Sequence, residues 1–414
     1  MSQPNRHTTL AQFRGTPRRR FYSGSDLRRA KAIADLRART HKLMPRFVLE
    51  YLEAGAEDEA TLERERRAYA DWRFLPHTLV DESHRSLQRE LIGRKADMPV
   101  IVAPTGLNGL FMPGGDIALA KGAARSGVPF CQSTMSNDRM EDVGAVEHLR
   151  QWWQLYVFGG DEIWQELVDR TDRAGCEALV LTTNSQIFGN RTWNSRVRYS
   201  NGWPTIPGLL NAALHPRWSA DRLAHGMPVF RNVIDFVPES QRSFFKSAQW
   251  IRSQMPKSLS WDTVAKIRQR WKKPFFVKGI LNLEDVARAV DSGVDGIILG
   301  SHGGRQMDWA VSALDILPRA RAIVGDRIEL YISGGIRRGT DILKALALGA
   351  DAVLTGRATL YGLCAGGADG VARALAILKS ETMNELGQLG VRSLDDLDAS
   401  VLIRRDQLPL SATG

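Results

Sequence analysis

A histidine and an arginine three residues apart, His302 and Arg305, stand in the stretch Gly300-Ser301-His302-Gly303-Gly304-Arg305-Gln306-Met307-Asp308. Directly before it lies the apolar run Gly296-Ile297-Ile298-Leu299. The run predicts a buried strand, so a proton acceptor and a carboxylate-binding cation share its C-terminal end in a glycine-rich turn. In a barrel of parallel strands, chemistry sits at such ends. Taken alone, His302 reads equally well as a hydrogen-bonded structural histidine. The other strand ends have to decide.

Seven further runs predict strands: Met98 to Pro104, Val128 to Ser133, Trp152 to Val157, Ala178 to Thr183, Pro274 to Gly279, Glu329 to Ser333 and Asp351 to Gly356. Helical segments separate them, among them one capped by Gly114-Gly115-Asp116 and running through Arg125, and Asp161 to Ala174, Leu283 to Ser292 and Asp341 to Leu348. Apolar, β-branched strands without clean alternation suit a parallel sheet covered by helices. The expected fold is therefore α/β, a (β/α)8 TIM barrel, with a doubly wound open sheet as the lesser alternative. Residues before about Lys95 predict a helical preface, including Met44 to Ala54 and Glu57 to Tyr69.

Nearly every predicted strand ends in a polar residue or glycine: Pro104-Thr105-Gly106, Ser133, Gln154 with Tyr156, Thr182 with Asn184, Lys278, Ser333-Gly334-Gly335 with Arg337, and Gly356-Arg357. Such a succession indicates a polar ligand over the barrel mouth. The last two groups follow strands seven and eight, where glycine backbones and arginines commonly hold phosphate.

Composition sets the remaining bounds. The 414 residues are 43% hydrophobic and 25% charged, ordinary for a globular chain. Cys131, Cys176 and Cys364 lack metal or disulfide spacing and read as buried thiols; no metal is expected. No window is long and apolar enough to span a bilayer and no secretory segment opens the chain, so a cytoplasmic location is the default. The net charge of +10 is concentrated partly in Arg6, Arg14, Arg18, Arg19 and Arg20, a start without acids that reads as a disordered tail. No nucleic-acid motif accompanies it, and no nucleic-acid partner is expected. An insertion over 190–259 interleaves cations such as Arg196, Arg198, Arg217, Arg222 and Lys257 with Trp193, Trp203, Trp218 and Phe230. Such a mix suits an anionic membrane surface, and equally a lid or an oligomer contact.

The stretches Glu50-Tyr51, Gly55-Ala56-Glu57-Asp58, Ala103-Pro104-Thr105-Gly106, Gln154-Leu155-Tyr156, Val277-Lys278-Gly279, Ser301 to Gln306 and Arg337-Arg338-Gly339-Thr340-Asp341 together resemble the FMN-dependent α-hydroxy acid dehydrogenases and oxidases. The resemblance divides the chain into a basic extension (1–43), an FMN-binding barrel (44–387, with the insertion 190–259) and a C-terminal tail (388–414). Pro104 to Gly109, Gly356 to Leu363 and Leu214-His215-Pro216-Arg217-Trp218-Ser219 are similar to the membrane-associated, mandelate-oxidising branch of that family. Because the insertion shares the similarity, the membrane reading is favoured over the lid.

The resemblance implies roles. Arg191 and Arg305 would clamp the substrate carboxylate, Tyr51 would hydrogen-bond it, and Tyr156 would orient the α-oxygen. His302 would accept a proton as the α-C–H bond breaks, with Asn184 beside it. Lys278 would stabilise charge developing on the flavin ring. Gly106 and Met135 would face the substrate side chain and leave room for an aryl or bulky group. FMN would be held by Pro104, Thr105, Gly106, Ser133, Gln154, Thr182, Lys278, Gly300, Ser333, Gly334, Gly335, Arg337, Gly356 and Arg357. The implied reaction is oxidation of an (S)-2-hydroxy acid, mandelate-like, to the 2-keto acid, with electrons passed to a membrane or quinone acceptor. The alternatives are an oxidase that gives H2O2 from O2, and a catalytically weak flavoprotein scaffold. A homotetramer, peripheral on the inner face of the cell membrane, completes the expectation.

Three positions depart from the family pattern. Asn184 stands where an aspartate usually pairs with the histidine, which predicts a lower imidazole pKa and slower reductive chemistry. Ser333 replaces an aspartate that grips ribityl hydroxyls, which predicts looser FMN binding. Ser301 replaces the asparagine before the histidine, a change from which the sequence yields no consequence.

Overall fold

The computed structural model describes residues 20–408, apart from residues 82, 194, 195, 197, 198, 201, 202 and 257 and the side chains of 199, 200, 203 and 204. Arg6, Arg14, Arg18 and Arg19 of the basic start, with Arg198, Lys257 and the Trp203 side chain of the insertion, lie outside the described residues. The eight predicted strands form one closed parallel barrel. They are β1 (Val100–Val102), β2 (Phe130–Ser133), β3 (Gln151–Leu155), β4 (Ala178–Thr182), β5 (Phe275–Ile280), β6 (Gly296–Leu299), β7 (Glu329–Ser333) and β8 (Ala352–Thr355). Pairing runs in chain order, and β8 closes onto β1 through Leu354 opposite Ile101.

Both faces of each strand are buried, one against the helices and one inside the barrel. The inward set follows the two-residue period of a strand. Low in the barrel it is apolar: Ile101, Cys131, Trp152, Val180, Phe276, Ile298, Tyr331 and Leu354 form one interior cluster. Trp152, Phe276 and Tyr331 stack with centroids 5.0–6.1 Å apart and planes within 19° of parallel. Gly296 makes room for the stack, since a Cβ there would sit 2.2 Å from the Phe276 ring. One period higher the inward positions change to Ser133, Gln154, Lys278 and Ser333, so the polar layer begins where the plug ends.

The preface is not purely helical. Besides the helices Arg46–Glu53 and Ala60–Arg67 it holds the strand Trp72–Phe74 and a hairpin, Arg89–Leu91 with Arg94–Ala96. Leu91 and Ala96 of that hairpin join the interior cluster, and Arg150 donates to the carbonyls of Leu91, Arg94 and Lys95. The hairpin thus shuts the end of the barrel opposite the polar layer. Glycine at position 93, with φ +72°, and the left-handed Ile92 make the tight reversal. Flanking segments also pack on the barrel: helix Ile33–Leu43 lies against residues 357–388, and Leu402–Arg404 pairs antiparallel with Trp72–Phe74.

Among the described residues the insertion builds the α-helices Ile206–Ala213, Pro216–His225 and Phe244–Ser253. Ala212, Trp218, Phe230, Val233, Val237 and Ile251 bury one side of it against the main core. Trp218 anchors it with an Nε1–H donated to the Leu110 carbonyl at 2.9 Å and an edge contact to Phe47.

Candidate active site

The polar layer opens into a cavity of about 380 Å³ at the C-terminal ends of the strands. Of the residues singled out from the sequence, Tyr51, Pro104, Thr105, Gly106, Ser133, Met135, Gln154, Tyr156, Thr182, Arg191, Lys278, His302, Arg305, Ser333, Gly334, Gly335, Arg337, Gly356 and Arg357 all line it. Asn184 and Gly300 do not. They sit one layer behind the wall, where Asn184 Nδ2 donates to the Gly300 carbonyl at 3.1 Å.

Two halves of the cavity differ in chemistry. In the deep half, Ser133 Oγ donates to Gln154 Oε1 at 2.8 Å and accepts from the Met135 amide at 3.1 Å. Gln154 Nε2 and Thr355 Oγ1 are buried without a hydrogen-bond partner among the described residues. A buried donor left unmet in this way calls for a ligand. Around them stand Lys278, Arg337 and Arg357, and the glycine backbones 334, 335 and 356. Burial pushes the Lys278 ammonium down to about 8, and pushes Arg357 down to about 10 with Arg337 adding to the effect. Cations destabilised by burial and by one another are matched to an anionic ligand.

In the outer half, Arg305 Nη1 donates to the Ala54 carbonyl at 2.8 Å and its guanidinium lies 5.2 Å over the Tyr51 ring. Arg191 donates to the Arg305 carbonyl and to Gln306 Oε1, at 3.2 and 3.3 Å. Tyr51 donates its hydroxyl to the Gly106 carbonyl at 3.0 Å. A Cβ on Gly106 would come 2.8 Å from that of Met135, so these two close one wall together.

His302 sits at the junction of the halves with φ +59°, followed by Gly303 and Gly304 at +69° and +70°. Three left-handed residues in a row turn the chain sharply and aim the ring at the cavity. Burial, then Lys278, Arg191, Arg305 and Arg357, holds the imidazole well below its usual range. That is the direction expected from the missing aspartate, but burial and four cations bring it about. The orienting contact differs from expectation too. Nδ1 faces Ser185 Oγ at 3.3 Å, while Asn184 spends its amide on Gly300.

Sequence reasoning missed several wall residues: Ser185, Phe188, Phe230, Ala248, Ile251 and Arg252. Ser185 had a local signal, being one residue beyond a strand-end polar pair. The others come from the insertion or its approach, and only its folding brings them over the mouth.

A family model for FMN-dependent dehydrogenases matches residues 40–404. The chain belongs to that family. It is 41% identical over 371 residues to the (S)-mandelate dehydrogenase of Pseudomonas putida, covering 89% of this chain and 93% of the relative. It is 34% identical to an L-lactate dehydrogenase of Caulobacter sp. (strain K31), covering 90% and 98%. A crystal structure of the monotopic membrane protein (S)-mandelate dehydrogenase superposes with a TM-score of 0.87 at 40% identity, covering 91% of this chain and all of that one. The chain is therefore an FMN-dependent 2-hydroxy acid dehydrogenase by family, and the deep half of the cavity fits its cofactor. Unmet donors such as Gln154 Nε2 suit a flavin ring, and the glycines with Arg337 and Arg357 suit its phosphate.

Proposed function

We propose that the chain oxidises an aryl or similarly bulky (S)-2-hydroxy acid, of the mandelate type, to the 2-keto acid and delivers the electrons to a membrane-borne acceptor. The observation that carries this reading is the outer half of the cavity. There two guanidinium groups stand beside a wall of Leu107, Phe111, Met135, Phe188, Phe230 and Ile251. A small acid such as lactate would leave that apolar wall wet, whereas a phenyl ring covers it.

FMN held in the deep half would supply a two-electron acceptor. Arg191 and Arg305 bind the carboxylate and fix which face of the α-carbon is offered. Tyr51 and Tyr156 hold the carboxylate and the α-oxygen. His302, kept neutral by burial and by its cationic neighbours, accepts a proton at Nε2 while Ser185 faces Nδ1. The substrate carboxylate offsets the charge of Arg191 and Arg305, and so raises the affinity of the imidazole for that proton as the acid binds. Lys278 presents positive charge to the cofactor without having to move.

The membrane contact is supported by the outer side of the insertion. Ile206, Leu210, Leu214 and Leu223 are 74, 65, 78 and 88% exposed, and Ile187, Trp193 and Leu209 are also exposed, with Arg196 and Arg217 among them. No helix among the described residues is long and apolar enough to cross a membrane, so the contact is peripheral.

The test is anaerobic bleaching of the holoenzyme by a panel of 2-hydroxy acids. (S)-mandelate should reduce the flavin at least about tenfold faster than L-lactate at equal concentration, the size of a buried-ring discrimination. L-lactate matching mandelate would overturn the substrate assignment, and bleaching by no 2-hydroxy acid would favour the scaffold.

A further inference from the structure

Glu65 is a buried carboxyl in direct contact with the loops that carry the site, and the reaction as derived above does not use it. It lies on the helix Ala60–Arg67, is 2% exposed, and has no salt-bridge partner within 4.0 Å among the described residues. Ser301, the residue before His302, donates its hydroxyl to Glu65 Oε1 at 2.5 Å and accepts from the Gly304 amide at 3.0 Å. This one hydroxyl therefore ties both ends of the left-handed turn 302–304 to the Glu65 carboxyl. On its other side, Glu65 fills the underside of the loop after β7. A Cβ on Gly334 would lie 2.2 Å from Glu65 Oε2, and one on Gly335 would lie 2.0 Å from the Glu65 carbonyl oxygen. Tyr69, one turn on, donates its hydroxyl to the Gly334 carbonyl at 3.0 Å.

We propose that Glu65 is a positioning residue. Its carboxyl fixes, through Ser301, the turn that aims His302 and Arg305, and from beneath Gly334 it sets how much of the Lys278 charge reaches the cofactor. A carboxyl buried without a cation is costly, and a brace alone would be served as well by an amide. Charge is what an amide lacks. The groups facing Glu65 are Lys278 from β5, Asp315 from the helix Ala313–Val324, and Tyr69, which in turn faces Asp341 and Arg337. Burial, with Asp315 adding, raises Glu65 to about 7. It is uncharged on the acid side of neutrality, leaving Lys278 unopposed. Above neutrality its carboxylate opposes Lys278, and electrons are held less firmly.

This rests on FMN occupying the deep half, and not on which acid is oxidised. The holoenzyme and its Glu65→Gln and Ser301→Ala variants are equilibrated with a reference dye, and the flavin midpoint potential is read from about pH 6 to about pH 8.5. Flavin reduction by (S)-mandelate and FMN uptake by the apoprotein are measured alongside. The wild type should show an added downward break in potential near neutrality, and Glu65→Gln should lack it while binding FMN within about threefold of wild type. Ser301→Ala should keep the break, but reduce about tenfold more slowly with little change in half-saturating mandelate. A break near neutrality that survives in Glu65→Gln, set apart from the titration of Lys278 near about 8, or wild-type reduction by Ser301→Ala, overturns the proposal. Should Glu65→Gln fail to take up FMN, Glu65→Asp, which keeps the charge, replaces it: retention of the break supports the proposal and its loss overturns it. The potential needs no substrate, so an enzyme inert to mandelate would count against the proposed function alone.

Discussion

Asn184 and Ser185 divide a task that one carboxylate performs in the pattern this chain resembles. Asn184 donates to the Gly300 carbonyl and packs against Gly279, where a Cβ would lie 2.5 Å from its Cγ. Ser185 takes the place facing His302 Nδ1. Neither can stabilise an imidazolium by charge, and four cations oppose it. A lowered pKa means the base is ready at neutrality: protonation, and with it loss of kcat/KM, begins only as pH falls well below the ordinary imidazole range. In Asn184→Asp the carboxylate cannot donate to Gly300, so it turns away from that carbonyl toward the ring and favours the protonated form. The acid limb of kcat/KM should move upward by about one pH unit and single-turnover flavin reduction should accelerate several-fold, on the order of a general-base gain. An unmoved limb or a slower reduction would show that the amide is not what limits the base. Ser185 and Glu65 were illegible in the sequence for the same reason. A serine beside a polar strand end and a glutamate in Glu63-Arg64-Glu65-Arg66 look like ordinary solvated residues until packing buries them.

Strand ends were legible because a parallel barrel constrains them. The inward face of each run is apolar below the mouth, so the first polar inward residue marks it, as at Ser133, Gln154 and Lys278. The insertion offered no such rule. Its residues are split by folding into an inner set (Trp218, Phe230, Ile251) packed on the core, of which Phe230 and Ile251 roof the cavity, and an outer set that faces away, and composition alone does not separate them. Helix Ile206–Ala213 shows the split most clearly, with Ala212 inside and Leu209 and Leu210 outside. Replacing Leu209, Leu210 and Leu214 together by Ser should weaken partition onto anionic phosphatidylglycerol vesicles by about tenfold or more, as loss of buried apolar area requires. Flavin reduction by mandelate should stay within about twofold, since none of the three lines the cavity. Unchanged vesicle partition would remove this face from the membrane.

The molecule as a whole is stabilised around the stacked plug of Trp152, Phe276 and Tyr331, all fully buried. Phe276→Ala should cost about 3–5 kcal/mol in denaturant unfolding of the apoprotein, because the closed wall of strands cannot collapse onto the void. A cost under about 1 kcal/mol would mean the stack is dispensable. The same plug, with the hairpin of Arg89–Leu91 and Arg94–Ala96 beneath it, also dictates traffic. Because the barrel is sealed at one end, every visitor enters from the side of the strands' C-terminal ends. With the cofactor and the acid placed as proposed, both would have to arrive from that one side.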